Sequence, residues 1–212
     1  MEPVNSADLQ LSSPAPWGLP TVLPNGTRIL LRPIMPGDKA KLQWGMGRLS
    51  PLARRQRFFS AKDELDEQDV TYLTEIDYRS HVAWVAVDLD REDQPIVAVG
   101  RYIRQPEDPA TAEIAFVVGD EYQRQGLATM LLDLLTVVAR ANRIDHFYAR
   151  VLADNVAMRH ILTAAGAKLE LDDAGVLQTT MDLPPSTEHF AASAIAAIVG
   201  SAAGQVGRLP AE

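Results

Sequence analysis

The segment from Ala112 to Leu131 constrains the fold of this chain more than any other stretch. It starts as a mainly apolar run that ends at Val118, passes through a short polar loop and reaches Gly126. After Gly126, apolar residues recur at spacings of three and four, which predicts an amphipathic helix as far as Ala141. These apolar positions are Leu127, Met130, Leu131, Leu134, Leu135 and Val138. The segment therefore predicts a strand, a glycine turn and a long helix in direct succession.

Runs on either side of this segment predict the remaining elements. Three strand-like runs are joined by polar linkers of hairpin length, which predicts an antiparallel meander of residues 81–88, 95–103 and 111–118. Further strands are predicted at 27–33, 146–151, 167–171 and 176–183. Capping residues and helix-forming composition predict helices at 38–49, 50–59, 66–76 and 155–164. Gly166 follows the last of these helices, as a C-cap glycine does.

The chain length predicts one domain with tails. Its 212 residues are enough for one sizeable core. Residues 1–24 mix serine, proline and small residues without any period, so we expect an extended lead-in. The domain is predicted at 25–184 and a tail at 185–212, in which residues 190–200 form a short apolar helix. This tail is compatible with a homodimer.

Composition excludes several kinds of site. The chain has no cysteine, which excludes disulfides, thiolate metal ligands and a cysteine nucleophile. The histidines show no metal-ligand spacing, so no metal is expected. A net charge of -8 argues against nucleic-acid binding, which needs clustered lysine and arginine. No leader pattern is present, and no segment approaches the roughly 20 apolar residues of a membrane span. We therefore expect a soluble, cytoplasmic protein.

The start of the long helix is a candidate anion site. The first N–H groups of a helix lack partners and carry a partial positive charge, which favours phosphate oxygens. Gly126 lets the backbone approach a bulky anion, small Ala128 keeps the approach open, and Gln123 and Arg124 can add side-chain contacts. The alternative is an ordinary loop before a helix. Neither the three-glycine dinucleotide fingerprint nor the Gly-Lys-Ser/Thr phosphate loop occurs in the chain.

Two linked motifs resemble those of the GCN5-related N-acetyltransferase (GNAT) family. The loop Gln123-x-x-Gly126-x-Ala128 resembles the family's coenzyme motif, and Asn155 is followed eleven residues later by Gly166, as in the family. The resemblance covers about residues 27–183. It implies an α/β (α+β) GNAT fold, in which a mixed, mostly antiparallel central sheet carries helices on both faces. It also implies acetyl-CoA as the cosubstrate.

Within the family the chain is similar to bacterial Pat-like protein lysine acetyltransferases, most clearly at Ala112-Glu113-Ile114-Ala115-Phe116-Val117. That resemblance makes Glu113 the candidate general base. It implies that the backbone of Phe116, Val117 and Val118 pairs with the pantetheine arm. The pyrophosphate would be held by Gln123, Arg124, Gln125, Gly126, Leu127, Ala128 and Thr129. Asn155 would contact the coenzyme beyond the pyrophosphate.

The chemistry of amine acetylation gives an independent reason for a base near this loop. An alkylamine has a pKa near ~10.4, so at neutral pH it must lose a proton before it attacks a thioester. The Glu113 carboxylate is placed to accept that proton, directly or through water; the alternative is a strand glutamate that faces solvent. Many relatives place a tyrosine seven residues after the asparagine, and this chain has Leu162 there. Water, the departing ammonium proton or another residue such as His160 must then protonate the thiolate.

These observations predict an acetyl-CoA-dependent N-acetyltransferase that acts by direct attack of a primary amine. The Pat-like resemblance favours a protein lysine as the acceptor, and a small-molecule amine remains the alternative. A second alternative is a non-catalytic acyl-CoA-binding regulatory protein, for which the missing tyrosine leaves room.

Overall fold

The structure is a computed structural model that describes residues 18–59, 64–172, 175–185 and 192–206. The predicted lead-in and tail therefore fall partly outside the described residues. Within these residues, eight strands form one sheet: β1 Leu19–Val22, β2 Arg28–Pro33, β3 His81–Asp88, β4 Ile96–Arg104, β5 Thr111–Val118, β6 His146–Leu152, β7 Glu170–Leu171 and β8 Val176–Asp182. Their order across the sheet is β1-β2-β3-β4-β5-β6-β8-β7. Every neighbouring pair is antiparallel except β5 and β6, which run parallel.

In the part of the chain that the structure describes, six α-helices cover the two faces of this sheet. They are α1 Lys39–Arg48, α2 Pro51–Phe58, α3 Glu67–Thr74, α4 Leu127–Ala141, α5 Val156–Ala164 and α6 Ala192–Val206. One core packs α1 and α3 against Ala83, Val85 and Val99 of the sheet. The other core packs α4 against the residues that alternate with these, such as Trp84 and Ile114. The predicted α/β architecture, with a mixed, mostly antiparallel sheet and helices on both faces, is confirmed.

Local capping explains where the helices of the first face begin. Ser50 Oγ accepts a hydrogen bond from Ala53 N at 3.2 Å, and Pro51 occupies the first position of α2. Asp66 caps α3 in the same way. Asp38 precedes α1 as predicted, but its carboxylate accepts two bonds of 2.7 Å from the Arg32 guanidinium and does not cap the helix.

Close packing fixes α4 against the middle of the sheet. Gly100 lies on β4 opposite Phe116. A Cβ atom at position 100 would lie 2.9 Å from Leu131 Cβ and 3.0 Å from the Phe116 ring. Because only a glycine leaves this space, α4 approaches β4 and β5 closely, and the loop before α4 is held at the end of β5.

Two parts of the sheet differ from the sequence prediction. Residues 19–22, inside the segment read as an extended lead-in, form β1 and pair with β2. The strand predicted at 167–171 is reduced to β7 at 170–171. The reason is the end of α5, where Gly166 has φ +98° and Ala167 N donates back to Leu162 O at 2.9 Å. This Schellman-type cap uses the residues that would have started the strand.

Helix α6 packs on the domain itself. Ile195, Ile198 and Ala202 are buried, and the helix contacts α4 and β2. The apolar side of the predicted tail helix is thus covered within the chain.

Candidate active site

A cleft opens between β5 and β6, the parallel pair of the sheet. Their pairing runs from Thr111 opposite His146 to Ile114 opposite Ala149 and stops there, although both strands continue. The other edge of β5 stays paired with β4 as far as Val118. From Ala115 to Val118, one backbone edge of β5 therefore faces the cleft without a strand partner among the described residues.

The loop from Gln123 to Gly126 lies at the end of β5 and leads into α4. Gly126 has φ +85° and Arg124 has φ +60°, so the chain turns twice through the left-handed region. The first bond of α4 joins Met130 N to Gly126 O at 3.0 Å, and no side chain of the described residues caps the helix. The N–H groups of Leu127, Ala128 and Thr129 at the start of α4 thus have no capping side chain, which is the arrangement that anions use.

One side chain of this loop bonds to β5, and the others are exposed or half-buried beside α4. Gln123 Nε2 donates to Val118 O at 3.3 Å, which fastens the loop to the last residue of β5. Arg124 is exposed, Gln125 is half-buried, and both lie beside the start of α4.

Asn155 and Leu162 reach the cleft from α5. Asn155 is the N-cap of α5, and its Oδ1 accepts from Met158 N at 3.1 Å. Both residues line a small hollow of ≈ 40 Å³ together with Phe116. Leu162 is buried, so this position offers an apolar wall and no hydroxyl. His160 is exposed on α5 and is not among the residues that line the hollow.

Glu113 lies on the opposite face of β5 from Phe116. It is in register with Ile103 of β4 and Tyr148 of β6, and its side chain is exposed. On the same face the partly buried Arg57 guanidinium of α2 is near enough for the Glu113 carboxylate to influence it. Burial lowers the pKa of Arg57, and Glu113 raises it in opposition. Arg57 also borders the hollow that Phe116 and Asn155 line, so Glu113 lies near this hollow, whereas the loop from Gln123 to Gly126 follows the other end of β5.

A larger cavity of ≈ 320 Å³ lies on this face, between α1, α2 and the strands β4 and β5. Val117 of β5 forms part of its wall, and Arg57 borders both this cavity and the hollow between β5 and β6. Arg101 of β4 also lines it and is only 4% exposed. Sequence reasoning did not single out Arg101. The available signal was an arginine inside the otherwise apolar run from Ile96 to Ile103.

His81 packs beside Arg101, with His81 Nε2 3.0 Å from Arg101 Nη1. A guanidinium only donates, so His81 Nε2 accepts and the ring proton lies on Nδ1. Burial, together with the Arg101 charge, lowers the pKa of His81 to about 4. His81 is therefore neutral at physiological pH.

Among residues 18–59, 64–172, 175–185 and 192–206, no group of three or more metal-ligating side chains comes together. In the same part of the chain, each helix is too short or too polar to cross a bilayer.

Comparison with known proteins gives several relatives of this architecture. The family described as "Acetyltransferase (GNAT) domain" matches residues 28–168. Acetyltransferase Pat of Mycolicibacterium smegmatis is 35% identical over 167 residues, which is 79% of this chain and 49% of the relative. The chain thus spans about half the length of that protein. Acetyltransferase PA5475 of Pseudomonas aeruginosa is 32% identical over 144 residues, covering 68% of this chain and 77% of the relative.

A solved structure supports the same assignment. The GNAT domain of S. lividans PAT superposes with a TM-score of 0.70 at 31% identity, covering 81% of this chain and all of that domain. The predicted similarity to Pat-like acetyltransferases is confirmed. Because the family match extends over most of the chain and the fold agrees with it, the chain belongs to the GNAT acetyltransferase family.

Proposed function

We propose that this protein transfers the acetyl group of acetyl-CoA to a primary amine. The observation that carries the proposal is the unpaired β5 edge at Ala115 to Val118, which ends beside the uncapped start of α4. A pantetheine amide can pair with a free strand edge, and a pyrophosphate can accept from free helix N–H groups. A CoA molecule has both parts, joined in that order.

The proposed contacts with the coenzyme come from successive segments of the sequence. The backbone of Phe116, Val117 and Val118 pairs with the pantetheine arm. The N–H groups from Gly126 to Thr129 hold the pyrophosphate. Side chains of Gln123, Arg124 and Gln125 lie next to them, and Asn155 meets the coenzyme from α5.

The proposed reaction is direct attack on the thioester. The amine nitrogen forms a bond to the acetyl carbonyl carbon, and the bond from that carbon to sulfur breaks. Glu113 takes the proton that the ammonium loses, through water where the distance requires it. Leu162 provides no hydroxyl to protonate the leaving thiolate. The thiolate therefore takes a proton from solvent or the proton that the amine releases.

The proposed acceptor is a lysine of a protein, as the resemblance to Pat-like enzymes implies. A small-molecule amine is the alternative, and it is favoured by the cavity of ≈ 320 Å³ beside Val117. Peptides that contain lysine, assayed beside small diamines and amino acids, separate the two. We also propose that the reaction takes place in the cytoplasm.

Replacement of Glu113 tests the proposal. CoA release from acetyl-CoA is followed with thiol reagents in wild type, Glu113→Gln and the matched control Glu107→Gln, which removes an exposed glutamate from the β4–β5 turn. We expect Glu113→Gln to lose about 10²-fold or more of turnover at pH 7, because general-base catalysis contributes about that much. The loss should shrink as pH approaches the acceptor's own pKa.

The control variant and the affinity for CoA show what a loss of turnover in Glu113→Gln means. Glu107→Gln should keep wild-type turnover, and Glu113→Gln should still bind CoA. Turnover of Glu113→Gln equal to wild type would exclude Glu113 as the base. A protein that binds acetyl-CoA but turns over no amine would instead be a non-catalytic acyl-CoA-binding regulator.

A further inference from the structure

Two arginine side chains on the Glu113 face of the sheet, the buried Arg101 and the partly buried Arg57, form no ion pair with a carboxylate among the described residues, although Glu113 is near enough to raise the pKa of Arg57. Arg101 is 4% exposed, and its guanidinium contacts His81 Nε2 at 3.0 Å and Leu73 O at the long distance of 3.5 Å. Arg57 stacks on the Phe58 ring at 4.9 Å. Among the described residues, neither guanidinium has a carboxylate oxygen within ion-pair distance. Buried arginines are normally paired, so this arrangement needs an explanation.

The carboxylates that line the same cavity are engaged elsewhere. Asp120 accepts from Ser50 N at 2.9 Å and from Ser50 Oγ at 2.8 Å. Glu121 lies 4.0 Å from Arg91, at the other end of the cavity from Arg101 along β4. Five basic side chains line the cavity against these two acidic ones, although the whole chain carries a net charge of -8. The lining of the cavity is thus positively charged, although the protein as a whole carries a net negative charge.

The register of the sheet sets this positive cavity beside the proposed reaction centre. Arg101 is paired with Ala115, and Val99 with Val117, so these side chains share the face that carries Glu113. Arg57 borders both the cavity and the hollow between β5 and β6. A group that extends from the proposed thioester or amine into the cavity would pass Val117 and meet the two guanidinium groups.

We propose that this cavity is a subsite for a substrate carboxylate on an apolar stem, bound by Arg57 and Arg101. The inference rests on the proposed function, because it assigns the substrate group that the reaction centre receives. The stem is accommodated by the apolar wall of Leu49, Phe58 and Val99. A carboxylate suits the arginine pair because guanidinium groups form forked, charge-assisted bonds with planar anions.

The electrostatics of the cavity agree with this assignment. Burial, reinforced by the nearby Arg57 charge, lowers the pKa of Arg101 to about 9. The two cations oppose each other's charge in a desolvated place, so an anion between them relieves an unfavourable interaction. His81 Nε2 accepts a hydrogen bond from the Arg101 guanidinium. Because the His81 ring is neutral, it adds no third positive charge.

The substrate carboxylate that the cavity binds has two possible sources. The carboxylate can belong to the acyl group of the CoA thioester, as in succinyl-CoA, or to the amine acceptor. With succinyl-CoA the step remains the same: the amine nitrogen bonds to the thioester carbon, CoA thiol leaves, and the terminal carboxylate is unchanged.

Calorimetric titration of the full chain tests both sources. In the first arm, succinyl-CoA is compared with butyryl-CoA, which has the same four-carbon chain without the charge. In the second arm, 6-aminohexanoate is compared with 6-aminohexanamide, with and without saturating CoA. We expect the carboxylate probe to bind at least about tenfold more tightly in one arm, as a charge-assisted contact provides. Arg101→Met and Arg57→Met should reduce that preference to about twofold or less.

The controls separate this inference from the proposed function. Arg79→Met removes an arginine that is exposed and away from the cavity, and it should keep the preference. Arg57→Met carries the test if Arg101→Met does not fold. CoA that binds without a carboxylate preference in either arm would overturn the subsite and leave the proposed function intact. A preference that survives in both variants would also overturn it. Failure of CoA itself to bind would contradict the proposed function, and the CoA-free second arm would still decide the subsite.

Discussion

Replacing Gly126 by alanine isolates the backbone requirement of the proposed coenzyme loop. Gly126 has φ +85°, and a Cβ there would meet only Met130 Cε at 3.8 Å, so conformation and not space opposes a side chain. An L-residue in the left-handed region costs about 1–2 kcal/mol. Alanine also lowers the conformational entropy of the unfolded chain, which offsets this cost by about 0.4–1 kcal/mol. We expect Gly126→Ala to lower the free energy of unfolding by about 0–1.6 kcal/mol.

Gly47→Ala is the matched control, because Gly47 lies inside helix α1 and a Cβ there meets nothing within 4 Å. The same substitution should raise the free energy of unfolding at this position by about 0.5–1 kcal/mol. Chemical denaturation and thermal scans measure both, and about 1 kcal/mol corresponds to about 2–4 °C in a chain of this size. Equal effects of the same sign in the two variants would refute the argument from the backbone of Gly126.

Two further predictions concern packing and pH. Gly100→Ala should lower the free energy of unfolding by about 1–3 kcal/mol, because its Cβ would lie 2.9 Å from Leu131 Cβ; denaturation that matches wild type would show that α4 can shift freely. Burial lowers the pKa of His81 to about 4 from an ordinary value near 6.5. The folded state therefore resists a proton that the unfolded chain binds, and stability should fall by about 1–2 kcal/mol as pH drops from 6.5 to 4. A His81→Gln variant should lose this part of the pH dependence, and an unchanged slope would contradict it.

The local elements of this fold were accessible from the sequence because their signals are local. Strand β3 at 81–88, strand β5 at 111–118 and helix α4 follow their predicted ranges within a residue. The two strands are mainly apolar runs bounded by polar linkers, and α4 has apolar residues at spacings of three and four after a glycine turn. Strand β7 was overestimated because the C-cap of α5 takes residues whose composition also suits a strand. Strand β1 has four residues and is held by its pairing with β2, which no local pattern reports.

The nonlocal features of the candidate site could not be reached in this way. The end of the β5–β6 pairing at Ile114 depends on how two distant strands diverge, and the resemblance to the GNAT family was the only sequence route to it. The burial of Arg101 depends on which helices cover that face of β4. From the sequence alone, an arginine on a strand is equally compatible with solvent.

Isothermal titration with acetyl-CoA, CoA, ATP and NAD tests the central claim most directly. We expect acetyl-CoA and CoA to bind at one site per chain, Gly126→Ala to weaken both, and ATP and NAD not to bind there. A ligand at 100 times its dissociation constant should also raise the free energy of unfolding by about 2.7 kcal/mol in a parallel thermal scan. If saturating acetyl-CoA gave neither heat of binding nor a thermal shift, the loop before α4 would be an ordinary helix start and the account would be wrong.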